Sequence, residues 1–211
     1  YTTLFRSLKR HINIAINKEY IEIQKYAFRK YKIKTVENKH THLVPEELEQ
    51  LERLSLTDKH MKLQKSLDAF LFCCYAGMRY SDFTNLSKKN IVDINQETWL
   101  IYKSVKTGTE VRLPLYLLFA GKGIVILNKY RNNLEDFFRL RDNSNINKDL
   151  IIIAKLAGLS KKISFHTARH TNATLLIYNG VNITTVQKLL GHKSVKTTQV
   201  YTNIMDMTKQ L

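Results

Sequence analysis

The chain has 211 residues, 44% of them apolar and 25% charged, which is enough to bury the core of one domain of about 150–180 residues. No apolar run approaches the ~18 residues that a membrane span needs. The opening stretch YTTLFRSLKR lacks the pattern of a secretory signal. These features argue against a membrane-spanning or secreted class, and we expect a globular protein of the cytoplasm.

The charge of the chain is strongly positive. Its 34 lysines and arginines outnumber 18 acidic residues and give a net charge of +16 at neutral pH. Such an excess in a domain of this size indicates a polyanionic partner. No segment combines a basic face with the exposed aromatic and leucine face of a membrane-surface helix. Nucleic acid is therefore favoured over a membrane.

The N-terminal part is predicted to lie outside the main domain. Residues 3–28 alternate apolar and basic positions at helical spacing and predict one or two helices, too few for a domain of their own. Residues 29–44 are basic without a helical stripe, so they fit either a linker along phosphates or a solvated spacer. The sequence PEE then opens a helix, which places a domain boundary near Val44.

The rest of the chain is predicted to be mainly α with a small antiparallel β-sheet, an α+β fold. Residues 61–76 carry one apolar stripe, in which Cys73 and Cys74 are interpreted as core residues. Two strands around a tight turn at Thr107-Gly108 predict a hairpin. Further helices are expected over residues 115–130, 144–158, 166–179, 182–190 and 194–203.

The segment HTARH places two imidazoles and a guanidinium on one helical face, since His166, Arg169 and His170 lie three and four residues apart. The two histidines also have a metal-ligand spacing, but a zinc-protease site needs glutamate where Thr167 stands. We therefore expect neither a metal nor another cofactor. Taken alone, the segment is as typical of a partly buried structural histidine beside a solvated arginine as it is of a functional site.

Other segments occur with HTARH in order: AGMRYSDFTNL at 76–86, KTG at 106–108, and a Leu-Gly-His turn nine residues before Tyr201. Together they resemble the catalytic domain of the tyrosine recombinases, the family of phage integrases, Xer-type recombinases and integrases of mobile elements. The resemblance covers residues 76–201. It implies the tyrosine-recombinase catalytic-domain fold of DNA breaking-rejoining enzymes, and cleavage and rejoining of DNA strands without metal.

Metal-free cleavage of a phosphodiester requires charge neutralisation, an in-line nucleophile and a proton for the leaving oxygen. Arg79 and Arg169 suit the first task, because a guanidinium donates to two phosphate oxygens and stays charged. The resemblance implies that these two arginines clamp the phosphate. It also makes Tyr201 the nucleophile, which forms a 3′-phosphotyrosine and leaves a free 5′-hydroxyl.

The resemblance implies three further roles. His166 contacts the phosphate and is the candidate base for Tyr201, because a phenol with a pKa of about 10 needs help at neutral pH. His192 donates to the phosphate. Lys106, at the hairpin turn, protonates the leaving 5′-oxygen, with Lys103 as its competitor.

Residues beside the candidate catalytic set are expected to support it. Asp82, three residues after Arg79, is expected to orient that arginine, and His170 to orient its neighbours rather than contact phosphate. Asn172 stands where the family often has an aromatic residue, and we expect only altered packing there. Contacts with DNA are expected from a set of basic residues: Arg29, Lys30, Lys32, Lys34, Lys161, Lys162 and Lys193.

On this resemblance, residues 1–28 are the last helix or helices of a truncated core-binding domain, 29–44 a basic linker and 45–211 the catalytic domain. The implied partner is double-stranded DNA in the bacterial nucleoid. The protein is expected to form a tetramer on DNA and to be a monomer or weak oligomer without it. Accessory DNA-bending proteins are possible further partners. The favoured function is a site-specific recombinase or integrase of a mobile element or phage. A topoisomerase-like strand relaxer and a catalytically decayed DNA-binding relative are the alternatives.

Overall fold

The computed structural model describes residues 2–29 and 41–208, with side chains for residues 4–29 and 41–202. The chain divides into two compact units, residues 1–39 and 40–211. The smaller unit contains helix α1 (Thr2–Asn17) and a 3-10 turn at Ile23–Lys25. Most of the predicted linker falls on residues 30–40 and lies outside the described residues.

The larger unit is mainly helical, as the sequence predicts. Its helices are α2 (Pro45–Glu52), α3 (Gln64–Ala76), α4 (Tyr80–Phe83), α5 (Lys122–Lys129), α6 (Leu134–Phe138), α7 (Asn143–Leu156), α8 (Phe165–Tyr178), α9 (Ile183–Leu190) and α10 (Lys196–Thr208). Its strands are β1 (Ile91–Ile94), β2 (Glu97–Lys103) and β3 (Glu110–Pro114). No helix in the described ranges is long and apolar enough to cross a membrane.

Helix α3 forms the centre of the larger unit. Every side chain from Ser66 to Ala76 is buried, including Cys73 and Cys74 as predicted, and the helix packs against α5, α7 and α8. Beside it, the rings of Phe83 and Phe137 meet edge to face with their centroids 5.3 Å apart. Such aromatic packing adds to the apolar burial that stabilises this core.

The start of the larger unit is fixed by local hydrogen bonds. Pro45 is the first residue of α2, and the backbone N–H of Val44 donates to Glu47 Oε2 at 2.9 Å. This bond caps the helix that the PEE sequence predicts to begin here. Leu43, at the end of the predicted linker, is fully buried, and its N–H donates to Thr171 Oγ1 at 2.9 Å. The chain is therefore anchored to α8 before α2 begins.

The sheet has the order β1-β2-β3 and is antiparallel throughout. Leu100 pairs with Leu113 and Tyr102 with Val111, and these four side chains form its buried face. The hairpin of β2 and β3 was predicted, whereas β1 was not, because four residues with two exposed positions give little alternation to detect. The sheet holds the turn between β2 and β3 at the edge of the helical core.

One helix is shorter than the sequence predicts. The helical pattern over residues 115–130 yields only α5, because Phe119, Ala120 and Gly121 have φ values of 48°, 52° and 72° and interrupt a right-handed helix before Lys122. Helices α4 and α6 were not predicted, since one turn of helix is too short to give a periodic stripe.

Candidate active site

Arg79 lies immediately before α4, two residues after Gly77, which follows the last residue of α3. Its Nη1 donates to Ser104 Oγ at 3.2 Å and lies 3.4 Å from Asp82 Oδ2. The Asp82 carboxylate is fully buried and also accepts the backbone N–H of Val105 at 2.8 Å. Asp82 therefore links Arg79 to the β2–β3 turn. Nothing in the sequence singled out Ser104 for its place between these two charges.

Arg169 is buried in α8 and joins the ends of two other helices. Its Nη1 donates to the carbonyl of Gly77 at 2.7 Å, and its Nη2 donates to that of Leu190 at 2.6 Å. These carbonyls stand at the C-terminal ends of α3 and α9, where a helix leaves its acceptors unpaired. Burial, and then repulsion from Arg79, lowers the pKa of Arg169 to about 10, so the guanidinium stays charged at neutral pH.

The β2–β3 turn lies against the Leu-Gly-His turn. Thr107 Oγ1 donates to the carbonyl of Gly191 at 3.2 Å. The next residue, His192, is 8% exposed, and its Nδ1 lies 2.9 Å from Thr198 Oγ1. These bonds bring two segments more than 80 residues apart in sequence to one place.

The candidate lysine Lys106 lies on the β2–β3 turn, and its competitor Lys103 lies at the end of β2. Lys106 is exposed beside Thr107 and is one of the cationic groups that lower the pKa of His192. Lys103 is the last residue of β2 and stands opposite Glu110 of β3 in the strand register. The turn thus carries Lys106 towards His192.

His192 is surrounded by cationic side chains. Burial lowers its pKa most, followed by Arg169, Arg79, Lys106 and His166, and the resulting value is about 3. A neutral imidazole carries one N–H donor and one acceptor nitrogen. At neutral pH the ring can therefore donate a hydrogen bond to an anion without carrying a charge of its own.

We expect the ring of His192 to stay neutral down to about pH 4 in the free protein, where an ordinary histidine is fully charged. Because its folded pKa lies below the unfolded value of about 6.5, the unfolded chain takes up the proton first, and stability falls as the pH drops from there towards 3. NMR titration of the ring and urea unfolding at a series of pH values test this. In His192→Gln, the free energy of unfolding should fall less steeply as the pH drops. A His192 ring that takes up its proton near pH 6.5 in the folded protein would contradict the prediction.

Helix α10 returns Tyr201 to the face of α8. Tyr201 is 4% exposed, and its Oη lies 3.0 Å from Nδ1 of His170, while the rings of His166 and His170 meet edge to face at 4.5 Å. Burial raises the pKa of Tyr201, whereas the charges of Arg169 and Arg79 lower it. The phenol thus lies within the field of both arginines.

The structure brings the six candidate catalytic residues to one site. Four of them lie close enough to His192 to lower its pKa, and the two arginines also lower the pKa of Tyr201. The set is Arg79, Lys106, His166, Arg169, His192 and Tyr201. The sequence points to His166 as the partner of Tyr201, whereas the structure places the ring of His170 at hydrogen-bond distance from its hydroxyl.

Asn172 has a larger part than the altered packing expected of it. Its Nδ2 donates to the carbonyls of Cys74 and Tyr75, both at 2.9 Å, and a Cβ on Gly77 would lie 2.6 Å from its Oδ1. With Arg169, it satisfies the last carbonyls of α3 from α8. One feature of the sequence could have indicated this role. Asn172 is an amide on the apolar face of α8, and a buried amide needs hydrogen-bond partners.

Gly191 ends α9 with a φ of 62°, and an added Cβ would lie 2.6 Å from Cγ2 of Val111 on β3. We expect Gly191→Ala to lower the free energy of unfolding by about 2–3 kcal/mol, from backbone strain and the steric clash together. Gly180→Ala is the matched control, because Gly180 has a φ of 78° but no atom within 4 Å. Equal losses for the two variants in urea unfolding would exclude the clash.

The basic residues predicted to bind DNA differ in their surroundings. Lys161 Nζ lies 2.7 Å from Glu47 Oε2 and donates to the carbonyl of His42 at 3.2 Å, so its charge is paired within the chain. The other described members of the set are exposed, namely Arg29, Lys162 and Lys193. Lys30, Lys32 and Lys34 lie outside the described residues.

The metal-ligand spacing of HTARH does not produce a ligand cluster. Within residues 41–202, and in the described part of the smaller unit, no three His, Cys, Asp or Glu side chains are grouped as metal ligands would be. His166 and His170 instead contact each other edge to face. A metal-free and cofactor-free reaction remains a prediction.

Solved structures share this fold. One is a fragment of lambda integrase, residues 75–356, bound as a dimer to a COC′ core site, with a TM-score of 0.72 and 21% identity over 94% of this chain and 71% of that chain. Another is XerA recombinase, with a TM-score of 0.61 and 23% identity over 100% of this chain and 83% of that chain. The fold is that of tyrosine recombinase catalytic domains.

The sequence matches the model of the phage integrase family over residues 41–207. It is 31% identical over 172 residues to a tyrosine recombinase of Pseudothermotoga lettingae, covering 79% of this chain and 57% of that protein. It is also 34% identical over 134 residues to tyrosine recombinase XerA of Saccharolobus solfataricus, covering 61% and 42%. The chain belongs to the phage integrase family of tyrosine recombinases. It spans about half the length of these curated relatives.

Proposed function

We propose that this chain is the catalytic part of a site-specific DNA recombinase or integrase, which cleaves and rejoins DNA strands through a covalent bond to Tyr201. The observation that carries the proposal is the convergence of a buried phenol, two guanidinium groups, two imidazoles and a lysine at one site. Membership of the phage integrase family supports it.

The two arginines are proposed to bind the non-bridging oxygens of the scissile phosphate. Arg79 is held by Asp82 and Ser104, and Arg169 by the carbonyls of Gly77 and Leu190. Each guanidinium has five N–H donors and therefore keeps others for an anion. Because the protein fixes both groups before DNA arrives, little reorganisation is needed when charge develops in the transition state.

Tyr201 is proposed to attack phosphorus in line with the bond to the 5′-oxygen. The leaving oxygen takes a proton from Lys106, whose place on an exposed turn lets it approach DNA. The product is a 3′-phosphotyrosine and a free 5′-hydroxyl. Because the phosphotyrosine bond retains the energy of the broken one, the 5′-hydroxyl of a second strand can reverse the step without ATP.

Double-stranded DNA is the proposed partner, and a tetramer the proposed active assembly. The net charge of +16 and the exposed Lys162 and Lys193 support DNA binding. A lambda integrase tetramer bound to a Holliday junction has the same fold at a TM-score of 0.69. We further propose that residues 1–28 belong to a core-binding domain, and that the enzyme serves a phage or other mobile element, with accessory DNA-bending proteins.

The experiment that tests this proposal traps the covalent intermediate. The protein is incubated in EDTA with a pool of nicked duplexes randomised around the nick, from which a cleaved short strand diffuses away. We expect an adduct that survives denaturation, carries DNA through a 3′-phosphate on Tyr201, and yields the target site when sequenced. Failure to form an adduct, with the pool and with the site of its own element, would leave a decayed DNA-binding relative as the function.

A second assay separates recombination from relaxation. The trapped complex is offered a second duplex with a free 5′-hydroxyl, and in parallel the protein is incubated with a supercoiled plasmid. A recombinase joins the cleaved strand to the second duplex. A topoisomerase-like relaxer changes the linking number of any plasmid and transfers no strand.

A further inference from the structure

The contact between His170 and Tyr201 points to a proton acceptor that the sequence did not select. Nδ1 of His170 lies 3.0 Å from Oη of Tyr201, and the two side chains are 7% and 4% exposed. On the proposed function, this oxygen is the atom that attacks phosphorus. We propose that His170, and not His166, takes the proton of Tyr201 during strand cleavage.

The geometry meets the first requirement for a general base, which must lie within hydrogen-bond reach of the proton it removes. In a neutral imidazole one ring nitrogen carries the proton and the other accepts a hydrogen bond. With the proton on Nε2, Nδ1 of His170 accepts from the Tyr201 hydroxyl at the observed distance. Helices α8 and α10 carry the two groups and pack against each other, so the contact belongs to the folded core.

Tyr201 needs such an acceptor because its surroundings oppose ionisation. Burial raises the pKa of the phenol, and the charges of Arg169 and Arg79 offset this only in part. When a phosphate occupies the site, its negative charge further weakens the help that the arginines give to a phenolate. The proton therefore has to leave as the new bond forms, and His170 is in contact to accept it.

The step balances as follows. The phenol proton passes to Nδ1 of His170, which becomes an imidazolium, and the oxygen lone pair of Tyr201 forms the new bond to phosphorus. The bond from phosphorus to the 5′-oxygen breaks, and that oxygen keeps the electron pair and takes a proton from Lys106. Rejoining reverses each transfer, so His170 returns the proton to Tyr201.

This assignment leaves His166 a different task. His166 is exposed one turn before His170 on α8, and its ring meets the edge of the His170 ring at 4.5 Å. It is also one of the groups that act on His192. His166 is therefore placed to contact the DNA phosphate, while the buried His170 serves the nucleophile.

The test varies the acidity of the nucleophile and the basicity of the histidine together. His170→Gln keeps a hydrogen-bond acceptor of similar size but removes the base, and we expect single-turnover cleavage to slow about a hundredfold or more. Replacing Tyr201 by a fluorotyrosine gives a more acidic phenol that needs less help. It should restore most of the lost rate in His170→Gln and little of the rate lost in His166→Gln, the matched control.

Two results overturn the inference. One is cleavage by His170→Gln at the normal rate, and the other is rescue by fluorotyrosine in His166→Gln but not in His170→Gln. If His170→Gln does not fold, triazolylalanine at position 170 keeps the ring shape with a weaker base, and cleavage should slow while the melting temperature holds. Absence of an adduct in the unaltered protein would instead contradict the proposed function itself.

Discussion

We expect Tyr201→Phe to abolish the covalent protein–DNA adduct while salt-dependent DNA binding remains. The substitution removes only the oxygen proposed to attack phosphorus, and it leaves the arginines and lysines proposed to bind DNA phosphates in place. DNA affinity comes mostly from phosphate contacts, so it should still fall steeply as salt is raised. Denaturing gels for the adduct and filter binding at several salt concentrations measure the two properties separately.

The control for this variant is another tyrosine on the neighbouring helix. The chain has 11 tyrosines, and Tyr178, at the end of α8, is 65% exposed. Tyr178→Phe should form the adduct at the normal rate. Tyr201→Phe should also lose about 1 kcal/mol of stability, because the hydrogen bond between its hydroxyl and Nδ1 of His170 is removed. An adduct that persists in Tyr201→Phe would mean that a different residue is the nucleophile.

Arg169→Lys is expected to impair both cleavage and folding. One ammonium on a flexible stem cannot reproduce the paired donation to the carbonyls of Gly77 and Leu190, which lie at the ends of two different helices. We expect the free energy of unfolding to fall by about 3 kcal/mol, because a buried charge and two buried acceptors lose their geometry. Cleavage should slow by about 10²–10³-fold, as when one preorganised donor is removed from an oxyanion site.

The matched control is Arg112→Lys. Arg112 Nε donates to Glu110 Oε1 at 2.7 Å on the exposed side of the sheet, and both side chains are more than half exposed. Exposed ion pairs contribute little, so the change should stay within about 0.5 kcal/mol. Urea unfolding compares the two variants. Equal stability of Arg169→Lys and the unaltered protein would show that the helix-end contacts do not matter.

The candidate site was largely predictable because its chemistry demands particular residue types. A phosphate needs guanidinium groups and an attacking oxygen, and the sequence offers Arg79, Arg169 and Tyr201 at the spacings of a known family. The mainly α fold and its hairpin followed from periodicity. The choice of Lys106 over Lys103 stays a prediction, and the turn that carries Lys106 lies beside His192.

The residues that escaped prediction depend on contacts between distant segments. Asn172 bonds to carbonyls 97 and 98 residues earlier in the chain, and no local pattern shows where those carbonyls lie. His170 and His166 lie one turn apart on the same helix, so sequence spacing could not decide which of them meets Tyr201. The packing of α10 against α8 determines which histidine contacts Tyr201, and this packing is not visible in the local sequence.

The two hydrogen bonds from Arg169 to helix ends also affect how sequences of this kind are interpreted. A descendant that no longer cuts DNA could replace Tyr201 by phenylalanine, or replace the exposed Lys106, at a smaller cost to folding than the loss of Arg169, which would uncap α3 and α9 together. Selection for a stable fold would therefore retain this arginine after catalysis had gone. On the proposed function, the pair Lys106 and Tyr201 would distinguish working enzymes from inactive ones in a survey of related genes, and Arg169 would not.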